Sequence, residues 1–140
     1  MSAILGCDWI IEVVVERLDI KKQVFDQVEK FRKPGTIITS NTSGIPIHSM
    51  LEGRSEDFKA HFCGSHFFNP PRYLQLLEII PTPETKQDVI DFLMGYGSKI
   101  LGKKTVLCKD TNAFKACGQT CGCMQKQSGK RLAWLGGGLS

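Results

Sequence analysis

The 140-residue sequence predicts an α/β fold built on an open, mostly parallel sheet, and three observations carry that prediction. Short apolar runs rich in β-branched residues alternate with longer segments whose apolar residues recur at helical spacing. The first run, residues 9–15, is apolar almost throughout, which is typical of a strand buried on both faces of a parallel sheet. Two later runs follow each other too closely for a helical crossover, so we expect one antiparallel pair.

The first half of the chain predicts a strand, a helix, a second strand and a short helix. The first strand covers residues 9–15, and Asp19 is a candidate cap for the helix that follows. Pro34-Gly35 ends this helix, and residues 36–40 form the second strand. The short helix lies around residues 47–51. The apolar residues at helical spacing in the first helix are Ile20, Val24, Val28 and Phe31.

The second half predicts two strands, a helix and a last strand. Residues 61–68 and 74–80 form the antiparallel pair, and residues 105–108 form the fifth strand. Thr82-Pro83-Glu84 has the hydroxyl, proline and acid of a helix start, and Gly102 ends that helix. Its predicted buried stripe consists of Val89, Leu93, Tyr96 and Ile100. The predicted order is therefore β-α-β-α-β-β-α-β.

Composition is typical of a globular protein, with 41% hydrophobic and 23% charged residues. No apolar run approaches the roughly 20 residues of a membrane span, and the first seven residues have no leader pattern. We therefore expect a cytoplasmic protein, or a matrix enzyme stripped of its targeting segment, with no membrane partner. The net charge of +4 comes from residues 112–140, since the preceding residues carry 14 basic and 14 acidic side chains. Charge confined to an unusual tail does not indicate a nucleic-acid partner, and we expect none.

The chain divides into residues 1–111, the predicted α/β domain, and residues 112–140, an irregular C-terminal tail. The tail holds six of the 14 glycines and three of the six cysteines and has no helical stripe, which predicts disorder. Its cysteines are spaced C-x3-C-x-C, one ligand short of a zinc site, so no metal is expected. A basic, cysteine-rich metal or nucleic-acid module is an alternative that depends on the tail alone, and a zinc assay tests it.

Polar side chains follow the predicted strands at the edge where open α/β sheets bind their ligands. Glu16 follows the first strand, and Ser-Asn-Thr-Ser at 40–43 ends the second. His66 and Asn69 lie near the end of the third strand, and Glu78 lies on the fourth. A histidine and a glutamate on adjacent antiparallel strands can face each other. The sequence therefore predicts a general base, His66, whose imidazolium is stabilised by the Glu78 carboxylate within hydrogen-bond distance.

These motifs resemble the 3-hydroxyacyl-CoA dehydrogenase family in their order and spacing. The resemblance covers about residues 7–111 and implies a partial Rossmann-like, doubly wound sheet that corresponds to the second half of the dinucleotide-binding domain. Asn-Pro-Pro-Arg-Tyr at 69–73 is similar to the multifunctional fatty-acid oxidation branch. The other matching motifs are the run at 9–16 with Lys21-Lys22, Ser-Asn-Thr-Ser at 40–43, His-Phe-Phe-Asn-Pro at 66–70, Leu-Leu-Glu-Ile-Ile at 76–80 and Lys109-Asp110-Thr111.

The resemblance also implies roles for individual residues. The implied catalytic residues are His66 as base, Glu78 as its partner and Ser43, which also binds the 3-oxygen of the substrate. Asn69 is implied to bind the substrate. The implied cofactor is NAD, bound through Glu16, Lys21 and Asn41. The implied reaction oxidises L-3-hydroxyacyl-CoA to 3-ketoacyl-CoA in fatty-acid β-oxidation, with the chemistry of hydride transfer supplied by the cofactor.

Two departures from the family pattern limit what we expect of this chain alone. The family opens with a strand, a Gly-x-Gly-x-x-Gly loop and a helix, and this sequence contains no such loop. After Asp110-Thr111 the family continues into a helical domain that makes homo-oligomers, whereas Cys117 stands about where a substrate-binding asparagine is expected. We therefore expect a poorly active fragment. The alternative is a non-catalytic remnant that arose by truncation or a frameshift.

Overall fold

The computed structural model describes residues 4–110 as a five-stranded sheet with helices on both faces. The strands lie side by side in chain order, and all neighbours are parallel except the third and fourth, which are antiparallel. This confirms the predicted α/β fold and its single antiparallel pair. The strands are β1 (Trp9–Glu12), β2 (Ile37–Ser40), β3 (Phe62–Phe67), β4 (Leu76–Pro81) and β5 (Lys104–Leu107). The helices are α1 (Leu18–Phe31), α2 (Glu56–Ala60), α3 (Gln87–Lys99) and a 3₁₀ helix (Ile47–Met50).

The two faces of the sheet bury separate apolar clusters. On one face, the rings of Phe25, Phe58 and Phe62 lie 5.2–5.7 Å apart between α1, α2 and β3. On the other face, Leu93 of α3 packs against Leu77 and other residues of β4. Side chains alternate along a strand, so the sheet is covered on both sides, as expected for parallel strands.

The first strand is shorter than predicted. It ends at Glu12, because β2 ends at the paired residue Ser40 and no strand among residues 4–110 pairs with residues 13–15. Helix α1 begins at Leu18, and its N-cap is Arg17 rather than Asp19. Asp19 instead lies in the first turn and accepts hydrogen bonds from Arg17. The buried face of the helix also differs from the predicted stripe and consists of Lys21, Phe25 and Val28.

The last helix also begins later than predicted, at Gln87. Thr82 does not cap it, because Thr85 Oγ1 accepts a hydrogen bond from Thr82 N–H at 2.9 Å and closes a separate turn. The predicted stripe was partly wrong, since Tyr96 is 36% and Ile100 67% exposed, and Gly97 is buried instead. Helix α2 was not predicted, and Ser55 caps it by accepting the Phe58 N–H. Residues 112–140, with the predicted tail, lie outside the described residues.

Within residues 4–110, no helix combines the length and the apolar character that crossing a bilayer requires. In the same residues, no group of three or more histidine, cysteine or acidic side chains is arranged to hold a metal ion. The tail cysteines belong to the part of the chain that is not described.

Candidate functional site

The antiparallel pairing of β3 and β4 puts His66 directly opposite Glu78. Residues opposite each other in such a pair point to the same face of the sheet, so the two side chains meet. His66 Nδ1 lies 2.9 Å from Glu78 Oε2, within the predicted hydrogen-bond distance. The side chains are 11% and 2% exposed, respectively, so the carboxylate is removed from water while the imidazole keeps a small opening.

The bond to Glu78 determines what the imidazole can do. An ionised carboxylate only accepts hydrogen bonds, so Nδ1 carries the proton and Nε2 has the free lone pair. The ring of Phe68 lies 4.7 Å from the imidazole, centroid to centroid, and restricts its orientation. Glu78 Oε1 is buried and has no hydrogen-bond partner among residues 4–110. The dyad can therefore accept a proton at Nε2 and stabilise the resulting imidazolium.

The end of β2 is tied to the strands on both sides of it. Asn41 N–H donates to the Glu12 carbonyl of β1 at 2.9 Å, and Asn41 Oδ1 accepts the Phe67 N–H of β3 at 2.8 Å. The Asn41 amide oxygen thus fixes the backbone next to His66. Asn41 was implied to bind the cofactor, and its side-chain oxygen is already occupied by this contact.

Glu16 organises the loop that follows β2. Its Oε1 atom accepts the N–H groups of Ser43, Gly44 and Ile45 at 3.1, 2.8 and 3.3 Å. The same oxygen accepts a short hydrogen bond from the Thr42 hydroxyl. Four donors on one oxygen hold the loop after β2 against the loop after β1. Both loops follow carboxyl ends of parallel strands, where open α/β sheets bind ligands.

The surroundings of Glu16 favour its ionised form. Burial acts to raise its pKa, but the hydrogen bonds from Thr42 and Gly44 and the positive charge of Lys21 together lower it below the usual value. The side chain is 43% exposed, and Oε2 lies 3.7 Å from Lys21 Nζ. Glu16 is therefore a partly exposed carboxylate at this edge of the sheet, and the loop after β2 binds only its Oε1 atom.

Lys21 was implied to bind the cofactor, but its side chain is 1% exposed. Its Nζ atom donates to both carboxylate oxygens of Glu12, at 2.9 and 3.1 Å, and to the Val14 carbonyl at 3.2 Å. Glu12 was not predicted as the partner of Lys21, because Glu12 lies in an otherwise apolar run. The only available signal was an acid on a strand expected to be buried on both faces, which requires a partner.

Asp110, at the end of the described chain, was also missed as a structural residue of the site. Its carboxylate accepts the N–H groups of Ile47 and His48 at 2.7 and 2.8 Å, at the start of the 3₁₀ helix. The same carboxylate contacts His48 Nδ1 at 2.7 Å. This Asp110 clamp fixes the far end of the loop that contains Ser43.

The remaining predicted residues lie near this edge but are not joined to the dyad. Ser43 is half-buried, and its backbone N–H is bound to Glu16. Asn69 is exposed, two residues beyond β3, and is followed by a cis peptide bond to Pro70. The structure therefore joins His66 to Glu78, and Ser43 to Glu16, through direct contacts. Asn69 enters neither network.

Comparison with known proteins connects this geometry to a family. Residues 1–111 match the family model for the 3-hydroxyacyl-CoA dehydrogenase, NAD binding domain. A probable 3-hydroxyacyl-CoA dehydrogenase of Bacillus subtilis is 59% identical over 109 residues, which are 78% of this chain and 14% of the relative. One from Deinococcus radiodurans is 49% identical over 109 residues, 78% of this chain and 32% of the relative.

Among solved structures, a 3-hydroxybutyryl-CoA dehydrogenase of Escherichia coli superposes with a TM-score of 0.76 at 32% identity. The match covers 81% of this chain and 24% of that chain. The chain thus spans 14% and 32% of the length of the two sequence relatives above. The family model nevertheless matches most of the chain, residues 1–111, so the chain belongs to the 3-hydroxyacyl-CoA dehydrogenase family through its NAD-binding domain.

Proposed function

We propose that residues 1–111 carry the acid–base centre of an NAD-dependent 3-hydroxyacyl-CoA dehydrogenase of fatty-acid β-oxidation, located in the cytoplasm. The observation that supports this most strongly is the 2.9 Å contact between His66 Nδ1 and Glu78 Oε2. An imidazole held by a buried carboxylate, at the edge of the sheet where ligands bind, suits removal of a proton from an alcohol.

In this proposal, His66 Nε2 takes the proton of the substrate 3-hydroxyl, while Glu78 holds the Nδ1 proton and stabilises the imidazolium. The hydroxyl of Ser43 binds the 3-oxygen, and Asn69 lies on the substrate side. When bound, NAD accepts the hydride from C3 of the substrate, and a 3-ketoacyl-CoA results. Phe68 limits rotation of the imidazole and so keeps Nε2 directed towards the substrate.

The described residues fit one end of the dinucleotide. The Glu16 side chain is 43% exposed and the loop uses only Oε1, so Oε2 can accept a hydrogen bond from a ribose hydroxyl. Asn41 keeps its amide N–H groups as donors, since the Phe67 contact uses the oxygen. Lys21 Nζ lies 3.7 Å from Glu16 Oε2, at the same end of the site. We assign these three residues to the nicotinamide side of the site.

The pyrophosphate of the dinucleotide requires a second kind of binding site. Dinucleotide-binding domains hold it with a glycine-rich loop at a helix N-terminus, and no Gly-x-Gly-x-x-Gly sequence occurs in these 140 residues. The second candidate is a remnant of such an enzyme without turnover of its own. The two candidates differ in one measurable property, which is whether the His66 centre works once a glycine-rich loop is supplied.

A chimera tests the proposal. Residues 1–111 replace the matching segment of the Bacillus subtilis relative, and oxidation of NADH with acetoacetyl-CoA is followed by absorbance. We expect turnover, and we expect His66→Gln to lower kcat by roughly 10²–10⁴-fold, the usual contribution of a general acid or base. His61→Gln is the matched control, because His61 Nδ1 contacts only groups of Asp57 on α2.

Turnover that survives His66→Gln would contradict the proposed base. A folded chimera without any turnover would favour the remnant. Oligomeric state, acyl-chain length and cytoplasmic location are separate properties, and cell fractionation measures the last of them.

A further inference from the structure

The connection between β3 and β4 begins beside the proposed base and has few groups to hold it in place. Phe68, at its start, lies 4.7 Å from the imidazole of His66, centroid to centroid. All residues from 69 to 75 are exposed, so this segment has no buried side chain to anchor it to the core. Pro70 and Pro71 have no backbone N–H that could pair with a neighbouring element. The position of the connection therefore depends on a small number of contacts.

One ammonium group binds this connection from outside. Lys103, the residue before β5, donates from Nζ to the Leu74 carbonyl at 2.9 Å and also to the Pro71 carbonyl. Within residues 4–110, the only other hydrogen bond that reaches residues 68–75 from outside joins two backbones at the last residue before β4. The Lys103 ammonium is therefore the anchor for the middle of the connection.

The local backbone determines where this ammonium lies. Gly102 has a φ of 64°, a conformation that favours glycine, and it turns the chain after α3. Lys103 N–H then donates to the Gly97 carbonyl of α3 at 2.8 Å. Inside the connection, the Pro70 carbonyl accepts two N–H groups at 3.0 Å each and closes one turn. The ammonium thus meets the carbonyl end of this turn, where a positive charge is favourable.

The register of the sheet places this anchor level with the base. Phe67 pairs with Leu77 across β3 and β4, one residue from the pair formed by His66 and Glu78. The next strand begins at the same level, because Lys104 pairs with Leu76. An anchor in this place can act on the groups beside the imidazole.

We propose that Lys103 is a positioning residue for the proposed base. It acts through the connection between β3 and β4, by holding Phe68 against the His66 imidazole and Asn69 at this edge of the sheet. Without the ammonium, the exposed connection moves away and the imidazole loses the ring that limits its rotation. The geometry does not depend on the proposed function, whereas the effect on turnover does.

Proton NMR of the full 140-residue chain tests the contact directly. The ring of Phe68 is close enough to the His66 imidazole to shift the resonances of its ring protons. Lys103→Met keeps a side chain of similar length without the ammonium, and we expect it to move these resonances most of the way to their positions in Phe68→Leu. The resonances of His48 and His61 should stay in place, since these residues contact other parts of the chain.

Two further variants separate the ammonium from other effects of the substitution. Lys104→Met removes the exposed neighbouring lysine and should leave the His66 resonances unchanged. Lys103→Arg keeps the positive charge and several donors, so it should largely restore the wild-type resonances. We expect all of these variants to fold, because residues 69–75 are exposed and both apolar clusters remain intact.

The chimera with the Bacillus subtilis relative measures the consequence for turnover. We expect Lys103→Met to lower kcat by roughly 10-fold to 10²-fold, because small errors in the placement of a reacting group are costly. Lys103→Arg should recover most of this loss, and Lys104→Met should have no effect.

Unchanged His66 resonances in folded Lys103→Met would overturn the proposal, and so would an equal change in Lys104→Met. Shifted resonances combined with a wild-type kcat would overturn it as well, since the connection would then have no influence on the base. A wild-type chimera without turnover gives a different result. The proposed function would then fail, and the NMR comparison alone would decide whether Lys103 positions the imidazole.

Discussion

At the scale of single residues, the site is organised by carboxylates that bind several donors each. Glu12, Glu16 and Asp110 together hold loops that follow different strands, and none of the three is the proposed acid or base. Glu78 differs, because one of its oxygens binds His66 and the other has no partner among residues 4–110. A carboxylate with one unused oxygen is suited to respond to a change of charge on the imidazole, whereas a saturated carboxylate is suited to hold a loop still.

The pH dependence of Glu16 provides a prediction at this scale. Its pKa is lowered in the folded protein, so the carboxylate stabilises the loop fully above its ordinary pKa of 4.5. That contribution is lost as the pH falls through the lower folded value. We therefore expect the Tm difference between wild type and Glu16→Gln to be largest near neutral pH and to shrink below about pH 4.5. Thermal unfolding of both proteins from about pH 7 to about pH 3 measures this difference in Tm.

The other acidic groups titrate in both proteins and cancel in this difference. Glu84→Gln, on an exposed turn, is the control and should give no such trend. A Tm difference that grows as the pH falls would contradict the assigned role of Glu16.

The site also shows which residues a sequence can predict. His66 and Glu78 were predicted because a short connection requires antiparallel strands, and the structure confirms their contact. The partner of Glu12 was missed because lysines are almost always exposed, and periodicity does not reveal a buried one. The Asp110 clamp was missed because Asp110 lies 63 positions after Ile47 and 62 after His48 in the sequence, and only the folded sheet brings them together.

At the scale of the elements, helix α3 approaches the sheet closely through one glycine. A Cβ at Gly97 would lie 2.5 Å from Thr105 Cγ2 of β5 and 3.0 Å from Leu77 Cδ2 of β4. The helix therefore sits where only a glycine permits it. Tyr96 was predicted on the buried face instead of Gly97, because large apolar residues at helical spacing indicate a buried face and a glycine does not.

This close approach gives a prediction for α3. We expect Gly97→Ala to lower the free energy of unfolding by about 1–3 kcal/mol, because the added methyl group overpacks the helix against β5. Gly95→Ala, in the same helix with nothing within 4 Å of the added Cβ, should instead raise it by about 0.5–1 kcal/mol. Urea unfolding of both variants measures the difference, and equal effects would contradict the contact.

Elements were predicted well where apolar residues recur over many positions, and poorly at their ends. The short helix α2 has five residues, too few for a periodic pattern, and its cap Ser55 stands in a polar stretch. The end of β1 depends on where β2 ends, which is a property of the pair and not of residues 9–15. Strand and helix ends are therefore set by neighbours that the local sequence does not contain.

At the scale of the whole molecule, apolar side chains are exposed on β1 and just beyond its end. Val13 and Val15 are 70% and 58% exposed, and Ile11 is 39% exposed. No strand among residues 4–110 pairs with the outer side of β1. An apolar edge of this kind favours association with another strand.

The isolated chain gives the last prediction. We expect the 140-residue protein alone to reduce acetoacetyl-CoA with NADH far more slowly than the chimera, although His66 is present. Positioning of reactants can account for roughly 7–11 kcal/mol of a barrier. The Gly-x-Gly-x-x-Gly sequence that holds the pyrophosphate in dinucleotide-binding domains does not occur in these 140 residues. NADH absorbance assays of both proteins at equal concentration measure it. If the isolated chain reduced acetoacetyl-CoA as fast as the chimera, the groups on the nicotinamide side would be sufficient for turnover.

The Asp110 clamp affects the order in which parts of the site become fixed while a ribosome synthesises the protein. His66 and Glu78 are 12 positions apart, so their strands can pair soon after both have left the exit tunnel. Asp110 is made some 30 residues later, and until then the start of the 3₁₀ helix lacks the carboxylate that binds its N–H groups. Contacts between residues close in the sequence form more readily than distant ones, so we expect the base and its partner to come together first in a nascent chain. We expect the far end of the loop that contains Ser43 to become fixed later, when Asp110 is available, whereas Glu16 can hold the start of that loop earlier.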